Sequence, residues 1–535
     1  MGAQHTIDLL AMSEDVLIYT VSFLEPPEIL CLSATCKTLH TLASLRIVWT
    51  NACNFHVKGL GYPFPATSTS ALDNIPTDEL TFATIHAWSL AKRWITGFSG
   101  PRRVKYISGT SGTLVSDVKF MPGRKGKLVV TISKVIWSAL TVWSLGGSAP
   151  DGGMADGEEG SRKVCEWSPR GAIFTGYVVN EDEKSPATFA LSVHLNEEQS
   201  VKVLKLSFAE NASYSLEELY SVDTDMKPIT LAGDLLALSN DVSQTAIWNW
   251  REGTYAILEH STDGPSIFQS NECHQIVFAH QSVLVARARS IHLFPFPELK
   301  HPTPGAEPLP PYPAIASHSF GWVDGQSVAI CPFLDKSLES GAVDRPSWQP
   351  LSILVRGESD DPWSSDVHNL ELYALDPNPN FMSSSEVSNS AALQEGPGHE
   401  QNYDVTPPPY IFPPRLSNKT PCLRGSLRCK KIILGRFGTA VWIQPRDRFP
   451  GGLLADIPWH MIPPTDTHES IVVTVFPGSL SPESSRSGRR RDGVVVGRKI
   501  FGNELNTSWT SIDYDEVGGR IALVSSFGRV VILEL

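Results

Sequence analysis

From about Arg103 to Leu535 the chain is written as pairs of short β-branched or aromatic runs separated by turn residues, and this repetition restricts its folds more than any other feature. Lys127–Ile132 with Leu140–Leu145, Leu235–Leu238 with Thr245–Trp250, and Ser282–Ala286 with Ser290–Phe296 are such pairs. The stretch from Gly519 to Leu535 is the clearest hairpin. Seven candidates centre near Val129, Phe174, Leu235, Leu284, Val328, Leu434 and Ile521. The first intervals approach the roughly 40–60 residues of a four-stranded repeat, and the last two are longer.

So many short antiparallel strands leave open edges unless they are arranged radially. The expected fold is therefore α+β and multidomain: a small N-terminal all-α module, a linker helix, then an all-β domain over 103–535 that is a β-propeller of seven blades, within a range of six to eight. A β-sandwich with long loops is the alternative, but it has no use for some two dozen strands. Val142-Trp143, Ile247-Trp248-Asn249-Trp250, Leu293-Phe294 and Val441-Trp442 resemble the last strand of a WD-type blade whose W-D dipeptide has eroded. Trp137, Trp143, Trp248 and Trp250 alternate with polar residues, as half-buried strand positions do; exposed at a propeller mouth they would instead form a recognition surface. A Ser-, Pro- and Asn-rich interruption over 377–419 reads as a disordered insertion between blades, and shorter ones surround Gly146–Gly160 and Pro302–Pro313.

The N-terminus has a different texture. After Ser13, a candidate N-cap, Glu14 and Asp15 place negative charge in a first helical turn, and Val16, Leu17, Thr20, Val21, Phe23 and Leu24 follow at helical spacing. Pro26 and Pro27 end that helix and open the next, which carries Ile29, Leu30 and Leu32. A third helical stretch holds Leu39, Leu42, Ala43 and Ile47 and reaches Trp49. Three short helices cannot hide this many apolar side chains, and the excess implies a partner surface. A longer helix, within a linker over 77–98, is marked by Leu80, Thr84, Ala87, Ala91 and Trp94 on one face and stopped by Gly97 and Gly100-Pro101.

Met12-Ser-Glu-Asp-Val-Leu, Val21-Ser-Phe-Leu, Pro26, Ile29-Leu30, Cys36-Lys37 and Trp49 together resemble the F-box motif, over a domain spanning 8–54. Met12 and Ser13 depart from the family's leucine–proline start. The texture of the whole is similar to the diverse F-box proteins of basidiomycete fungi. The resemblance implies a substrate receptor of an SCF-type cullin ubiquitin ligase, in which Met12, Val16, Leu17, Phe23, Leu24, Pro26, Ile29 and Leu30 bind a Skp-type adaptor, and through it a cullin, while the propeller holds a target protein. A scaffold that organises an assembly without ubiquitin transfer is the alternative, and a propeller hydrolase with a helical cap a more distant one.

No nucleophile elbow, P-loop, HExxH or deaminase signature is present, so neither catalytic residues nor a cofactor are expected and the chain is not read as an enzyme. Eight cysteines are scattered without a CxxC pair, which gives no metal site and suggests reduced thiols. A formal charge of −13 opposes adhesion to nucleic acid or an anionic membrane. With no long apolar run and no secretory leader, a cytoplasmic or nuclear location is expected, and Asn211, Asn418 and Asn506 carry no weight as glycosylation sites. Gly2 and Thr6 fit a loose myristoylation pattern. Arg486-Ser-Gly-Arg-Arg-Arg491, the one dense basic run, suits a solvated loop between strands or a site for a phosphate, an acidic degron or an import receptor.

Overall fold

The computed structural model describes residues 12–64, 72–107, 114–123, 128–134, 136–146, 161–208, 214–240, 242, 244–259, 272–302, 310–321, 323–330, 349–357, 367–381, 407–423, 427–445, 468–481, 494–503 and 507–535. Gly2, Thr6 and the Arg486–Arg491 run lie outside these residues.

The β region forms seven four-stranded antiparallel sheets. Blade 1 is β2 (Val115–Phe120), β3 (Leu128–Lys134), β4 (Ser138–Ser144) and β5 (Arg162–Trp167). Blade 2 is β6 (Ile173–Val179), β7 (Phe189–Leu195), β8 (Glu198–Phe208) and β9 (Tyr214–Asp223). Blade 3 comprises β10 (Lys227–Ala232), β11 (Leu235–Ser239), β12 (Thr245–Asn249) and β13 (Thr254–Leu258), and blade 4 β14 (Cys273–Ala279), β15 (Ser282–Arg287), β16 (Ser290–Pro295) and β17 (Ala316–Ser319). Blade 5 is β18 (Val323–Ile330), β19 (Leu351–Gly357), β20 (Val367–Leu375) and β21 (Arg415–Leu423). Blade 6 is β22 (Ile432–Leu434), β23 (Thr439–Gln444), β24 (Ser470–Val475) and β25 (Arg498–Gly502).

Blade 7 takes β26 (Trp509–Asp515), β27 (Arg520–Ser525) and β28 (Val530–Glu534) from the C-terminal end of the domain, and its fourth strand, β1 (Arg103–Tyr106), from the beginning. Arg103 faces Glu534 and Tyr106 faces Val531 across this pair, and Lys105 Nζ lies 2.9 Å from the Glu534 carboxylate. The ring is closed by sheet pairing, which leaves no open edge at the seam. Among the described residues, each junction between neighbouring blades has its own cluster of buried apolar side chains.

The strand order fixes two ends of the ring. Links between first and second, and third and fourth, strands lie at one end, here called the near end; links between second and third strands, and from blade to blade, lie at the far end. Parts of the stretch 377–419, expected as a disordered insertion, are ordered: Arg415–Leu423 is a strand, Pro377 bridges to Tyr410, and the fully buried Tyr410 donates its hydroxyl to the Gln349 carbonyl at 3.2 Å, while 382–406 lies outside the described residues. Trp143 and Trp250 are buried and Trp248 stacks on Tyr255 at 4.9 Å between ring centres, whereas Trp137 sits at the β3–β4 tip, outside any strand.

The helical module is α1 (Glu14–Val21), α2 (Pro26–Ser33), α3 (Lys37–Ala43), α4 (Arg46–Cys53) with a π-helical turn at Asn54–Lys58, and α5 (Thr77–Thr96). The third stretch read from the sequence is two helices, because the chain breaks at Ser44-Leu45. Ser13 stands at the N-cap of α1 but its side chain makes no cap bond; reciprocal capping occurs instead at α2, where the Glu25 N–H donates to the Glu28 carboxylate at 2.8 Å. Leu80, Thr84, Ala87, Ala91 and Trp94 of α5 are all buried, and Leu90 joins them.

The module's core is continuous with that of the junction between blades 6 and 7. Helix α5 crosses the near end there: Leu90 lies over the β26–β27 turn at Gly519, and His86 hydrogen-bonds backbone at Val517, while burial holds its pKa below the usual imidazole value. Gly519 has φ +63°, and a Cβ on it would stand 2.8 Å from Leu90 Cδ1. Gly519→Val is expected to cost about 2 kcal/mol, through the left-handed backbone and the crowding of Leu90. Chemical denaturation checks this, and wild-type stability in the variant would show that α5 does not rest on the turn.

Candidate functional site

In α1 and the turn that follows it, which holds Phe23, the side chains divide by helical spacing. Leu17 and Val21, four residues apart, point inward and are buried, while Val16, Tyr19 and Phe23 face outward at 48%, 66% and 65% exposure. The Tyr19 and Phe23 rings meet edge to face, 5.1 Å apart at 89°. Leu30 on α2 is also exposed, at 44%. The module's own core is meanwhile occupied by Leu17, Ile29, Leu39, Leu42, Val48 and Trp49, and the Trp49 indole donates to the Ala43 carbonyl at 2.8 Å. The outward ridge is thus surplus to the module's own packing.

Of the eight residues read as adaptor-binding, Val16, Phe23 and Leu30 are available on this surface. Met12 and Leu24 are partly buried and pack against the core. Leu17, Pro26 and Ile29 are buried, Ile29 completely, so they shape the ridge from beneath and do not form its contact face. Tyr19 was missed, although Val16, Tyr19 and Phe23 stand at i, i+3 and i+7 and form an outer stripe beside the inner one.

Charged groups gather on the first strands of blades 1 and 7 and just before the first strand of blade 6. The Asp513 carboxylate accepts the Phe120 N–H at 2.8 Å and lies 3.4 Å from Lys431 Nζ, which also donates to the Ile512 carbonyl at 2.9 Å. Asp117 accepts the Val118 N–H at 2.8 Å and the Ser511 hydroxyl. Lys119 sits over the Tyr177 ring, 5.3 Å from its centre. Burial pushes the Lys119 ammonium down; it acts the same way on Lys431, where Asp513 and Asp117 outweigh it and the pKa rises. These charges answer one another across blades 1 and 7 and the approach to blade 6.

Glu516, at the near end, has its pKa pushed up to about 7 by burial, against the hydrogen bonds that lower it. Its carboxylate accepts the Phe437 N–H at 3.1 Å and the Thr439 hydroxyl at 2.5 Å, beneath the β22–β23 turn. It fills the place that a Cβ on Gly435 would need. This shifted carboxylate fastens blade 7 to blade 6.

No protein-family model matches the chain, and no curated protein matches it. Similar solved structures include a chain in the mitotic checkpoint complex, at 9% identity and TM-score 0.39 over 82% of this chain and 92% of that one. The WD40 domain of SCAP from fission yeast is similar at 9% identity and TM-score 0.37, over 78% and 81% of the two chains. The β-propeller domain of Cps50 (Swd1) from Myceliophteria thermophila is similar at 10% identity and TM-score 0.41, over 82% and 99%. The seven-bladed ring itself rests on the strand order and the closing β1–β28 pair.

Proposed function

We propose that the chain is the receptor subunit of an SCF-type ubiquitin ligase, in which the ridge on α1 and α2 docks a Skp-type adaptor, and through it a cullin, while the propeller holds a target protein. The observation that carries this reading is the ridge: Val16, Tyr19, Phe23 and Leu30 stand exposed on a module whose core is already filled, within a stretch that resembles the F-box. Covering a large apolar side chain contributes about 1.5–3 kcal/mol, so a few of them supply a useful share of an interface. In this reading the chain performs no chemistry of its own and works inside the cell by holding a target near the conjugating enzyme.

The test is binding of the purified chain to a Skp-type adaptor, with a Val16→Asp, Phe23→Asp double variant. Loss of two exposed contacts is expected to weaken binding by about a hundredfold or more while thermal unfolding stays unchanged. Leu17→Asp makes a poor probe, because Leu17 is 7% exposed and its loss would damage the module itself. A folded wild-type chain that does not bind the adaptor would overturn the proposal. The scaffold reading draws on Met12 and Ser13, which replace the leucine and proline of the motif; it predicts no turnover of the bound target, whether or not the adaptor binds.

A further inference from the structure

At the far end, the tips of blades 1 and 2 carry large apolar side chains that the ring has no use for. Leu114 precedes β2, Ile136 and Trp137 form the β3–β4 tip, and Ile173 opens β6; they are 58%, 81%, 38% and 48% exposed. Hydrogen bonds join these segments side by side. The Lys134 N–H donates to the Leu114 carbonyl at 3.1 Å, and the Ser138 N–H donates to the Ala172 carbonyl at 2.8 Å, so the row runs from one blade to the next. Such tips are ordinarily polar, and single exposed apolar residues need no explanation, but a row of four does.

Two cations stand beside the row. Lys134 and Arg170 are both exposed, and neither has a carboxylate partner among the described residues. The described parts of 114–116, 131–138 and 168–175 contain no aspartate or glutamate, and the carboxylates just beyond them, Asp117 and Glu166, already hold the Ser511 hydroxyl and Lys163. Glu197 and Glu198, at the β7–β8 tip, close this basic zone on the blade 2 side, where Leu195 approaches Gly171. In a chain of formal charge −13, two unpaired cations beside an apolar row form a local exception.

We propose that this surface takes an extended peptide segment whose large apolar residues, at alternate positions, are flanked by carboxylates. An extended segment presents alternate side chains along one side, which suits contacts supplied in a row by three short stretches of chain. Its carboxylates answer Lys134 and Arg170. A nucleic acid would need a broader basic field than two cations supply. The surface and the ridge use opposite arrangements of the molecule: α5 fastens the helical module across the near end, and the row lies at the far end. The inference rests on the receptor reading for its purpose, since it names the chemistry of the target segment, but not for its geometry.

The test uses the full chain and two fluorescent synthetic peptides, one with leucine and tryptophan at alternate positions, serines between them and a pair of aspartates at each end, the other with lysine in place of each aspartate. The aspartate peptide is expected to bind the more tightly. Ile136→Ser with Trp137→Ser should weaken it by about tenfold or more, as loss of apolar anchors does. Lys134→Glu with Arg170→Glu should reverse the preference between the peptides. Adaptor binding, measured on the same variants, should not change. Equal affinity for both peptides, no affinity for either, or indifference to both pairs of substitutions would overturn the proposal. If the peptides behave as expected and the wild-type chain ignores the adaptor, the receptor reading fails and the peptide surface stands.

Discussion

Ending the chain at Arg529 is expected to abolish cooperative folding of the propeller. The shortened chain loses β28, in which Val530, Val531, Ile532 and Leu533 are each at most 5% exposed, and with it the buried Leu535. Burial of one such side chain contributes about 1.5–3 kcal/mol, so the loss is on the order of 10 kcal/mol, comparable with the whole net stability of an ordinary domain. The damage also exceeds that sum. Without β28, β1 has no partner and β27 gains an open edge, and α5, which leans on blade 7, loses its support. Circular dichroism and size-exclusion chromatography check the prediction. A sharp melt within a few degrees of wild type would mean that blade 7 does not depend on the closing strand.

That closing arrangement was the least legible part of the fold. Val129, Leu235, Leu284 and Ile521 mark second strands, buried on both faces, while Phe174, Val328 and Leu434 mark first strands, and each of the seven falls in a different blade. Strands covered on both sides must be apolar throughout, so they stand out in a sequence. Strand β1 reads Arg-Val-Lys-Tyr, with Arg103 and Tyr106 exposed, because an outer strand meets solvent along one side. Nothing local distinguishes it from a loop; its assignment comes from β28, more than 400 residues later in the chain, as the pairing of Arg103 with Glu534 shows. The outer strand β9, Tyr214–Asp223, has no buried residue and was equally silent.

The ridge was half legible for a related reason. Spacing shows which residues share a helix face but not which face the rest of the fold covers. Ile29 and Leu30 are neighbours of the same kind, yet one is completely buried and the other 44% exposed, and that choice is made by the packing of α2 against α3 and α5. Trp137 shows the converse. Its runs of neighbours read as strand, but the turn between β3 and β4 falls on it and leaves it outside.

Glu516→Gln is expected to flatten the pH dependence of stability between about pH 5 and 8. The folded-state pKa of Glu516 is about 7, raised by burial from the ordinary carboxylate value of 4.5. In the unfolded chain the group releases its proton through pH 4.5, whereas the folded protein keeps it until about pH 7. Between those values the native state binds more protons than the unfolded state, so stability falls as pH rises. The contribution is complete below the unfolded pKa and is lost as pH passes through the folded one. The difference amounts to roughly 3 kcal/mol across the window. Glutamine resembles the protonated acid, with an oxygen that can still accept from Phe437 N–H or Thr439 and a donor in place of the O–H. At low pH the variant should therefore lie close to wild type, and above pH 7 it should be the more stable of the two. Glu516→Ala acts differently, since it leaves the Phe437 N–H and the Thr439 hydroxyl without this acceptor, at about 1–3 kcal/mol for each buried group, whatever the pH. Urea unfolding of the three proteins at several pH values separates the cases. Parallel curves for wild type and Glu516→Gln would show that the carboxylate at the joint of blades 6 and 7 does not titrate in this range.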